Sequence, residues 1–351
     1  MSKINDLDTP SVVIDLTRVE ANLGRAQAHA HANGYRLRPH IKTHKLPVLA
    51  LRQIALGAVG ITVQKLGEAE VMADAGIKDI FLPYNIIGPA KLKRLKALNR
   101  RVTLAVTADS PDTVSGYAAT FGAKDPLTVL VECDVGGGRC GVQSPEQALA
   151  LARQIALAPG LKFGGLMTYP ARGKPEEADR WLGDAKALIE RAGLAVAVVT
   201  GGNSPDMWHG ADRVVTERRP GTYVYFDRSQ VAFGAASFDD CALTVLATVV
   251  SRPTATRVII DAGSKALTSD LLGLTGHGAV LGHEDMIVSG LSEEHGVIEL
   301  NAPSDWPRIG DKLRIVPNHV CVVSNLFDRV NFAHGDEVTE TVPVAARGRS
   351  D

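Results

Sequence analysis

The sequence of 351 residues has no long apolar run, only four cysteines and a formal net charge of −1. A membrane-spanning helix needs about 18 to 20 consecutive apolar residues, so none is expected. The N-terminus also lacks a charged stretch followed by an apolar one, so no signal peptide is expected. The small net charge offers no general attraction to nucleic acid or to anionic membranes, which leaves a small-molecule partner. The cysteines form no CxxC pair and no dense pattern typical of a disulfide framework, which favours a location in the reducing cytoplasm.

Short β-rich runs alternate with amphipathic helical stretches from about residue 11 to residue 235. The runs include SVVIDL, YRLRPHIK, DIFLPY, LTVLVECD and AVAVVTGG. Strands that alternate with helices are joined by crossovers and lie parallel, and about eight such units predict a closed (β/α)8 TIM barrel over 11–235. The first unit could instead belong to another domain or to a sheet edge. Thr17 and Ser144 are candidate helix N-caps.

The sequence pattern changes after about residue 236, where long helical patterns stop. Stretches such as CALTVLATVV, MIVSGLSEEHGVIEL and DKLRIVPNHVCVV alternate apolar with polar residues and are separated by turns. This pattern predicts a smaller, mostly antiparallel β domain over 236–351, with which residues 1–10 are expected to pair. The predicted fold class is therefore α/β, with a TIM barrel followed by this second domain.

A cluster of basic residues, RPHIKTHK, ends the second predicted strand. Catalytic groups of a TIM barrel lie at the C-terminal ends of its strands. Alternation along a strand predicts that His40 and Lys42 share one face, and His44 as well if the strand continues. A lysine that loses water in the barrel mouth is a nucleophile suited to forming a Schiff base. A hydrated lysine in a surface turn is the alternative.

Two glycine-containing turns follow the last predicted barrel strands, in TGGNSP and RPGTYVY. Glycines let the backbone turn tightly and expose its N–H groups, and Ser204 and Pro205 suit the start of a helix. Such a turn at a helix N-terminus binds phosphate, and these barrels usually bind phosphate after their last strands. Simple turns are the alternative. The residues concerned are Thr200, Gly201, Gly202, Asn203, Gly221, Thr222 and Tyr223.

Two further strand ends carry polar side chains. In ECDVGGGRCGV, three glycines precede Arg139, whose guanidinium could donate to a phenolate or a carboxylate. In LMTYPARG, Tyr169 follows the strand. A solvated arginine on a flexible loop and a tyrosine packed on the core are the alternatives.

The β domain carries a histidine and a cysteine two residues apart in PNHVC. On a strand, His319 and Cys321 would point the same way and could meet one ion. Imidazole and thiolate together favour zinc, and two protein ligands leave positions open for catalysis. Ordinary core packing is the alternative.

Several of these motifs together resemble the D-threonine aldolase and D-serine dehydratase family. This family belongs to the fold type III pyridoxal-phosphate enzymes, which are related to alanine racemase. The resemblance runs from residue 8 to about residue 349, in the same order along the chain. The motifs are LDTPSVVIDL, RPHIKTHK, ECDVGGGRCGV, TGGNSP, PGTYVYFD, PNHVC and VPVAARGRS.

The resemblance implies a role for each candidate residue. Lys42 matches the lysine that forms a Schiff base with pyridoxal 5'-phosphate, and Arg139 matches the arginine at the phenolic oxygen of the cofactor. Tyr169 lies beside the pyridine ring, and Gln64 approaches that ring. His319 and Cys321 match a divalent-metal pair for zinc, manganese or magnesium. The phosphate cradle comprises Thr200, Gly201, Gly202, Asn203, Gly221, Thr222 and Tyr223.

The implied function is that of a lyase acting on D-3-hydroxy amino acids. The first expectation is D-threonine aldolase-type retro-aldol cleavage to glycine and an aldehyde. The alternative is a D-serine or D-3-hydroxyaspartate dehydratase, which releases a 2-oxo acid and ammonia, because dehydratases of the family tend to have His-x-Cys where aldolases have His-x-Asp. The resemblance also implies a homodimer, and a cytoplasmic location is expected.

Three further readings are more remote. An amino-acid racemase would need a second acid or base, usually a tyrosine of the β domain, and no tyrosine follows residue 236. A non-catalytic pyridoxal-phosphate-binding protein is usually a lone barrel. A barrel enzyme without this cofactor would leave Lys42 a purely structural role.

Overall fold

The computed structural model describes residues 2–209 and 213–351. Within these ranges the strands are β1 (Ser2–Lys3), β2 (Ser11–Asp15), β3 (Arg36–Leu37), β4 (Ile61–Thr62), β5 (Asp79–Leu82), β6 (Thr103–Ala108), β7 (Leu127–Cys133), β8 (Leu161–Thr168), β9 (Val198–Gly201), β10 (Glu217–Arg218), β11 (Leu243–Ser251), β12 (Arg257–Ile260), β13 (Gly278–Val280), β14 (His283–Leu291), β15 (Gly296–Glu299), β16 (Lys312–Pro317), β17 (Arg329–His334) and β18 (Glu337–Pro343).

The helices of the same ranges are α1 (Leu16–Ala32), α2 (Pro47–Ala55), α3 (Leu66–Asp74), α4 (Pro89–Asn99), α5 (Pro111–Thr120), α6 (Pro145–Leu157), α7 (Pro175–Arg191), α8 (Arg228–Ala232), α9 (Ser264–Leu267) and α10 (Val320–Leu326). None of the helices in the described part of the chain has the length and apolar character that crossing a membrane requires.

The chain folds into two compact units. The barrel unit comprises Ala26–Lys42, Pro47–Gly221 and Arg349–Asp351. The β unit comprises the residues up to Arg25 together with Thr43–Leu46 and Thr222–Gly348.

The barrel unit contains an eight-stranded parallel sheet in the order β3-β10-β9-β8-β7-β6-β5-β4. An isolated bridge between His40 and Thr62 joins its two edges and closes the barrel. Strands such as β7, LTVLVEC, are apolar almost throughout because helices cover one face and the barrel interior covers the other. Phe81, Leu130 and Met167 pack together in one of its clusters. The predicted (β/α)8 barrel is confirmed.

The β unit contains a ten-stranded sheet, in which β11 pairs with β16 in addition to its neighbours. Its pairings are antiparallel except that of β17 with β2, which confirms the predicted antiparallel domain. The run SVVIDL, predicted as the first barrel strand, belongs here, since β2 pairs with β11 and β17. An apolar run fits either sheet, so composition alone does not decide between them. The borders of the two units therefore differ from the predicted limits at residues 10 and 235.

Helix starts follow ordinary capping chemistry. The Ser144 hydroxyl accepts the N–H of Gln147 at 3.3 Å and caps α6 as predicted. Helix α1 begins earlier than expected, and Asp15 caps it instead of Thr17. Its Oδ1 accepts the N–H of Thr17 at 2.9 Å and that of Arg18 at 3.2 Å.

Candidate active site

The segment that carries the candidate lysine leaves the barrel strand before Lys42. Pro39 has no N–H to offer to a ladder, and His40 lies outside the strand, with an isolated bridge to Thr62 and its N–H donating to the carbonyl of Pro220 at 3.0 Å. Ile41–Thr43 then forms a 3-10 turn, in which Lys42 is half-buried. The prediction that strand alternation aligns His40 with Lys42 is therefore wrong.

The ring of His40 is held in one orientation. Its Nδ1 accepts the N–H of Lys42 at 3.3 Å, and its Nε2 lies 3.0 Å from Oε1 of Gln64. A neutral ring whose Nδ1 accepts carries its proton on Nε2, which then donates to Gln64. The backbone N–H of Gln64 donates to Oε2 of Glu68 at 2.7 Å, so Gln64 is held through its backbone as well as through its side chain. The structure thus brings Gln64 to the lysine segment, while its role toward a cofactor ring stays a prediction.

The glycine loop after β9 is a tight turn. Gly202 has a φ of +81°, which favours glycine, and a Cβ there would lie 3.3 Å from the side chain of Arg218. The N–H of Gly221 donates to Oγ of Ser204 at 3.1 Å and draws the second predicted turn to the first. Residues 205–208 form hydrogen-bonded turns, so the predicted helix start at Ser204 is wrong.

This loop offers donors that suit a phosphate. Within residues 2–209 and 213–351, the N–H groups of Gly202 and Asn203 have no hydrogen-bond partner. The Asn203 side chain braces the turn, because its Oδ1 accepts the N–H of Asp206 at 2.8 Å and its Nδ2 donates to Oδ2 of Asp206 at 3.0 Å. Adjacent N–H donors on a backbone with no side chain in the way fit an anionic group. Thr222 and Tyr223 begin a 3-10 turn that belongs to the β unit.

The loop that carries Arg139 is organised by Asp134. Oδ1 of Asp134 accepts the N–H groups of Gly136, Gly137 and Gly138 at 3.0, 2.8 and 3.1 Å. Burial alone would raise the pKa of Asp134, but these bonds outweigh it and lower that pKa. Arg139 therefore projects from a hydrogen-bonded loop, which argues against the alternative of a flexible one.

Arg139 and Tyr169 meet at the mouth of the barrel. The guanidinium carbon of Arg139 lies 5.0 Å from the ring centre of Tyr169, and its Nη2 lies 4.0 Å from Oε1 of Glu132. Tyr169 is 48% exposed, which rules out core packing as its main role. Together with Asn203, these side chains line a cavity of about 250 Å³ beyond the ends of β7, β8 and β9. The structure thus brings three of the predicted cofactor residues to one cavity.

Two charged residues of the barrel interior are missed by the sequence analysis. Burial raises the pKa of Glu132, which accepts a hydrogen bond from Thr107 at 3.3 Å. Burial lowers the pKa of Arg219 to about 10, and its Nε donates to Oγ1 of Thr200 at 3.0 Å. Its guanidinium lies 5.4 Å from the ring centre of Phe81. The signal that points to both is a charged residue at the end of a barrel strand.

The candidate metal residues lie in the β unit, where β16 gives way to α10. His319 is the N-cap residue of α10 and Cys321 lies in its first turn, so the predicted alternation along a strand is wrong. The two side chains nevertheless lie close enough to interact, since Cys321 is among the groups that raise the pKa of His319. Burial works against a charged ring, but Cys321 and then Asp270 outweigh it and raise the pKa of His319 to about 9.

The thiol of Cys321 is surrounded by hydroxyl groups. Its Sγ lies 3.2 Å from Oγ1 of Thr43 and 3.8 Å from Oγ1 of Thr222. Burial first, and the negative charge of Cys321 second, raise the pKa of Tyr225 well above its usual value. The hydroxyl of Tyr225 is buried and has no hydrogen-bond partner in the described part of the chain. His44 presents its ring edge-on to Tyr225, with 6.5 Å between ring centres.

The donor set of this pair fits a divalent ion. An imidazole nitrogen and a thiolate sulfur are the ligands that zinc prefers in proteins. Across residues 2–209 and 213–351, no group of three or more His, Cys, Asp and Glu side chains is placed to hold a metal. An ion on His319 and Cys321 would therefore keep positions open for water or substrate, as catalytic zinc sites do.

Two protein-family descriptions match the chain. Residues 14–229 match the N-terminal domain of alanine racemase, and residues 242–333 match a putative serine dehydratase domain. The fold and the cavity at the barrel mouth thus define a pyridoxal-phosphate enzyme of the alanine racemase-like class.

Individual relatives show to which family within this class the chain belongs. A D-threonine aldolase from Arthrobacter sp is 38% identical over 98% of this chain and 94% of its own length. The D-threo-3-hydroxyaspartate dehydratase of Delftia sp. (strain HT23) is 33% identical over 95% of this chain and 96% of its own. The chain belongs to the D-threonine aldolase and D-serine dehydratase family, whose members are pyridoxal-phosphate-dependent lyases.

Solved structures agree with this membership. The D-threonine aldolase from Filomicrobium marinum superposes with a TM-score of 0.91 at 32% identity, over 99% of this chain and 97% of that one. Two mutants of D-threo-3-hydroxyaspartate dehydratase also superpose, with TM-scores of 0.90 and 0.89 at 31% and 30% identity, over 97% and 98% of this chain and 96% and 99% of theirs. One replaces a histidine by alanine. The other replaces a cysteine two positions later by alanine and is described as the metal-free form.

Proposed function

We propose that this protein is a pyridoxal-phosphate- and divalent-metal-dependent lyase that cleaves D-3-hydroxy amino acids to glycine and an aldehyde. The observation that carries the proposal is the 3.2 Å contact between Oγ1 of Thr43 and Sγ of Cys321. Thr43 directly follows Lys42 in the sequence, so the segment that carries the candidate lysine also carries the hydroxyl that contacts the candidate thiol. The Arthrobacter relative, named a D-threonine aldolase, supports the choice of reaction.

The residues of the barrel unit suit the cofactor. Lys42 would hold it through the side-chain amine, Arg139 and Tyr169 would flank its ring, and the N–H groups of Gly202 and Asn203 would receive its phosphate. When bound, pyridoxal phosphate withdraws electrons from Cα of an amino acid, which allows a bond to that atom to break. Arg219 and Glu132 place one positive and one ionisable group inside the same barrel.

The residues of the β unit suit the metal. His319 and Cys321 would hold zinc, with manganese or magnesium as the alternatives. A divalent ion supplies Lewis acidity toward an oxygen, here the β-hydroxyl of the substrate. Neutral hydroxyl groups of Thr43 and Thr222 surround the thiol and add no competing charge.

The protein's own groups decide which proton moves. If the β-hydroxyl loses its proton, the Cα–Cβ bond breaks, the aldehyde leaves, and Cα takes up a proton to give glycine. If the Lys42 amine takes the proton from Cα, the hydroxyl leaves as water, and hydrolysis of the resulting enamine gives a 2-oxo acid and ammonia. Orientation of the substrate separates the two outcomes.

A dehydratase is the second candidate, and Cys321 favours it. The D-threo-3-hydroxyaspartate dehydratase whose mutants superpose on this chain has a histidine and a cysteine at the same spacing as His319 and Cys321, and its cysteine mutant is described as metal-free. Racemisation is disfavoured because the chain has no tyrosine after residue 236.

The deciding experiment offers the purified protein four substrates: D-threonine, D-phenylserine, D-serine and D-3-hydroxyaspartate. Aldehyde and glycine are measured separately from 2-oxo acid and ammonia. Aldehyde with glycine supports the aldolase, 2-oxo acid with ammonia supports the dehydratase, and neither product from any substrate refutes both.

Variants tie the activity to the site. Lys42→Ala should abolish turnover and the visible absorption of the bound cofactor, whereas Lys162→Ala, on an exposed position of β8, should change neither. Chelation, His319→Ala and Cys321→Ala should each abolish turnover but leave the cofactor absorption. His295→Ala, at an exposed hairpin, serves as the control for the metal variants. Full activity after complete chelation would show that the metal proposal is wrong.

Two further proposals concern assembly and location. We infer that the protein works as a homodimer and in the cytoplasm. Light scattering coupled to size-exclusion chromatography should give twice the mass of the 37.2 kDa chain. A monomeric mass at working concentrations would contradict the dimer.

A further inference from the structure

Asp270 lies against the candidate metal histidine. It belongs to the segment between α9 and β13, and its Oδ2 is 2.7 Å from Nδ1 of His319. The two side chains are 41% and 28% exposed, so the pair is half-buried. A carboxylate can only accept a hydrogen bond, so Nδ1 of His319 must be the donor.

This contact decides which nitrogen of the ring is available. With its proton held on Nδ1, the neutral ring carries its lone pair on Nε2. A histidine that binds a metal through one nitrogen generally donates the other N–H to a carboxylate or a carbonyl, which fixes the tautomer and the ring plane. The sequence analysis does not foresee this contact, because nothing near residue 270 resembles a metal motif.

The segment that carries Asp270 is anchored next to His319 by a buried side chain. Asn318, which is 0% exposed, donates from Nδ2 to the carbonyl of Asp270 at 3.1 Å and to that of Gly276 at 2.8 Å. Its Oδ1 accepts from Nη1 of Arg228 at 3.0 Å, and the same Nη1 lies 2.8 Å from the carbonyl of Thr275. The residue before the histidine therefore holds the segment whose carboxylate contacts that histidine.

The backbone of this segment is unusual on both sides of Asp270. Thr268 and Leu272 have φ values of +65° and +51°, a region that non-glycine residues rarely occupy. Such conformations persist only where surrounding contacts hold them. The Asn318 bonds supply that restraint, and the result is a carboxylate fixed at Nδ1.

We propose that Asp270 is a positioning residue that holds the Nδ1–H tautomer of His319, so that Nε2 faces a divalent ion shared with Cys321. The inference rests on the metal pair of the proposed function and adds a third residue to it. Asp270 acts through His319, because its Oδ2 is engaged by Nδ1 of the ring.

Zinc affinity tests this role directly. The full-length protein, loaded with pyridoxal phosphate and stripped of metal by chelation, is titrated with Zn²⁺ against a chromophoric chelator. Asp270→Ala should raise the Kd for Zn²⁺ by roughly 10- to 100-fold, the usual effect of removing a group that orients a metal-binding histidine. Asp285→Ala, an exposed carboxylate on β14, is the matched control and should leave the Kd unchanged.

The isosteric variant separates positioning from direct ligation. Asn at position 270 can still accept the Nδ1–H through its carbonyl oxygen, so Asp270→Asn should keep the Kd within a fewfold of the wild type. A loss with Asp270→Asn as large as that with Asp270→Ala would mean that the carboxylate binds the ion itself. A Kd within about twofold of the wild type for Asp270→Ala would overturn the role altogether.

Two further readouts complete the test. In the zinc-loaded protein labelled with ¹⁵N-histidine, NMR should report an Nδ1–H proton for His319 in the wild type, and that proton should exchange faster with solvent in Asp270→Ala. His319→Ala distinguishes a failure of the metal pair from a failure of the role of Asp270. If His319→Ala binds Zn²⁺ as tightly as the wild type, the metal pair itself is wrong; if it loses Zn²⁺ while Asp270→Ala does not, only the role of Asp270 is wrong.

Discussion

Glu132 is an acidic side chain at the end of a barrel strand, where burial raises the pKa of its carboxyl above the usual 4.5. In the unfolded chain the group ionises near that usual value, whereas in the folded chain it keeps its proton to higher pH. The folded state then binds more protons than the unfolded state, so the contribution of Glu132 to stability falls as pH rises above about 4.5.

We therefore predict that Glu132→Gln leaves the free energy of unfolding unchanged below about pH 4 and raises it at neutral pH. Glutamine cannot ionise, and its amide oxygen can still accept the bond from Thr107. Urea unfolding of the cofactor-free protein at several pH values measures the difference. Glu340→Gln, an exposed position on β18, is the control. A stability gain for Glu132→Gln that is equally large at low pH would contradict the explanation.

Two buried tyrosines differ in how well their hydroxyl groups are satisfied. The hydroxyl of Tyr225 has no partner among the described residues. The hydroxyl of Tyr117 accepts the N–H of Ile86 at 2.9 Å and donates to the carbonyl of Thr107 at 3.0 Å. Burying a polar group without a partner costs about 1–3 kcal/mol.

Tyr225→Phe should therefore raise the free energy of unfolding of the metal-free, cofactor-free protein by about 1 kcal/mol. Tyr117→Phe should lower it by about 1–3 kcal/mol, because it leaves a buried N–H and a buried carbonyl without their partner. Urea denaturation of both variants measures the contrast. Equal destabilisation by the two substitutions would show that the Tyr225 hydroxyl has a partner in solution.

At the scale of secondary-structure elements, β8 depends on a glycine where β9 approaches it. Gly165 has a φ of +131°, and a Cβ there would lie 1.9 Å from the carbonyl oxygen of Val198. The pairing register of β7 with β8 shifts just before this position, between the adjacent β7 residues Val129 and Leu130. Gly24, within α1, has no atom within 4 Å of an added Cβ.

Matched glycine-to-alanine variants should thus act in opposite directions. Gly165→Ala should lower the free energy of unfolding by more than about 2 kcal/mol, because backbone must move to admit the methyl group. Gly24→Ala should raise it by about 0.5–1 kcal/mol, since alanine loses less conformational freedom in a helix. Thermal and urea unfolding check both values. A neutral Gly165→Ala would show that β9 can move away at little cost.

At the scale of the barrel unit, an ion-pair network joins the strands at the opposite end from the cavity. Arg38 donates from Nε to Glu217 at 3.0 Å and from Nη1 to Asp79 at 2.5 Å. The side chain of Glu217 is only 3% exposed. Burial works against the charge of Arg38, yet these carboxylates raise the pKa of its guanidinium.

Removing the cation should leave a buried carboxylate without compensation. Arg38→Ala is expected to lower the free energy of unfolding by about 3–5 kcal/mol, and the double variant with Glu217→Leu should recover part of that loss. The control is Arg100→Ala, whose side chain is 63% exposed in its pair with Asp125, and such a pair contributes about 0–1 kcal/mol. Urea unfolding compares them, and a loss no larger than that of the control would show that the pair is screened by water.

How far each feature is predictable follows from the range of the interactions that build it. Alternation of apolar strands with amphipathic helices is local, so the barrel, the second β domain and the positions of Lys42 and Arg139 at strand ends follow from sequence pattern. Motif resemblance extends this to the cofactor. Capping of α6 by Ser144 is equally local, since it joins residues three apart.

Other features depend on contacts between distant parts of the chain. SVVIDL pairs with β11 and β17 because tertiary packing chooses between sheets that its composition suits equally. His319 and Cys321 meet at a helix start and not along a strand, because β16 ends at Pro317. Asp270 reaches His319 across 49 residues, and Thr43 reaches Cys321 across 278. Periodicity carries no information at such separations, so the class of enzyme is readable from the chain, whereas the contacts around His319 and Cys321 are decided only by folding.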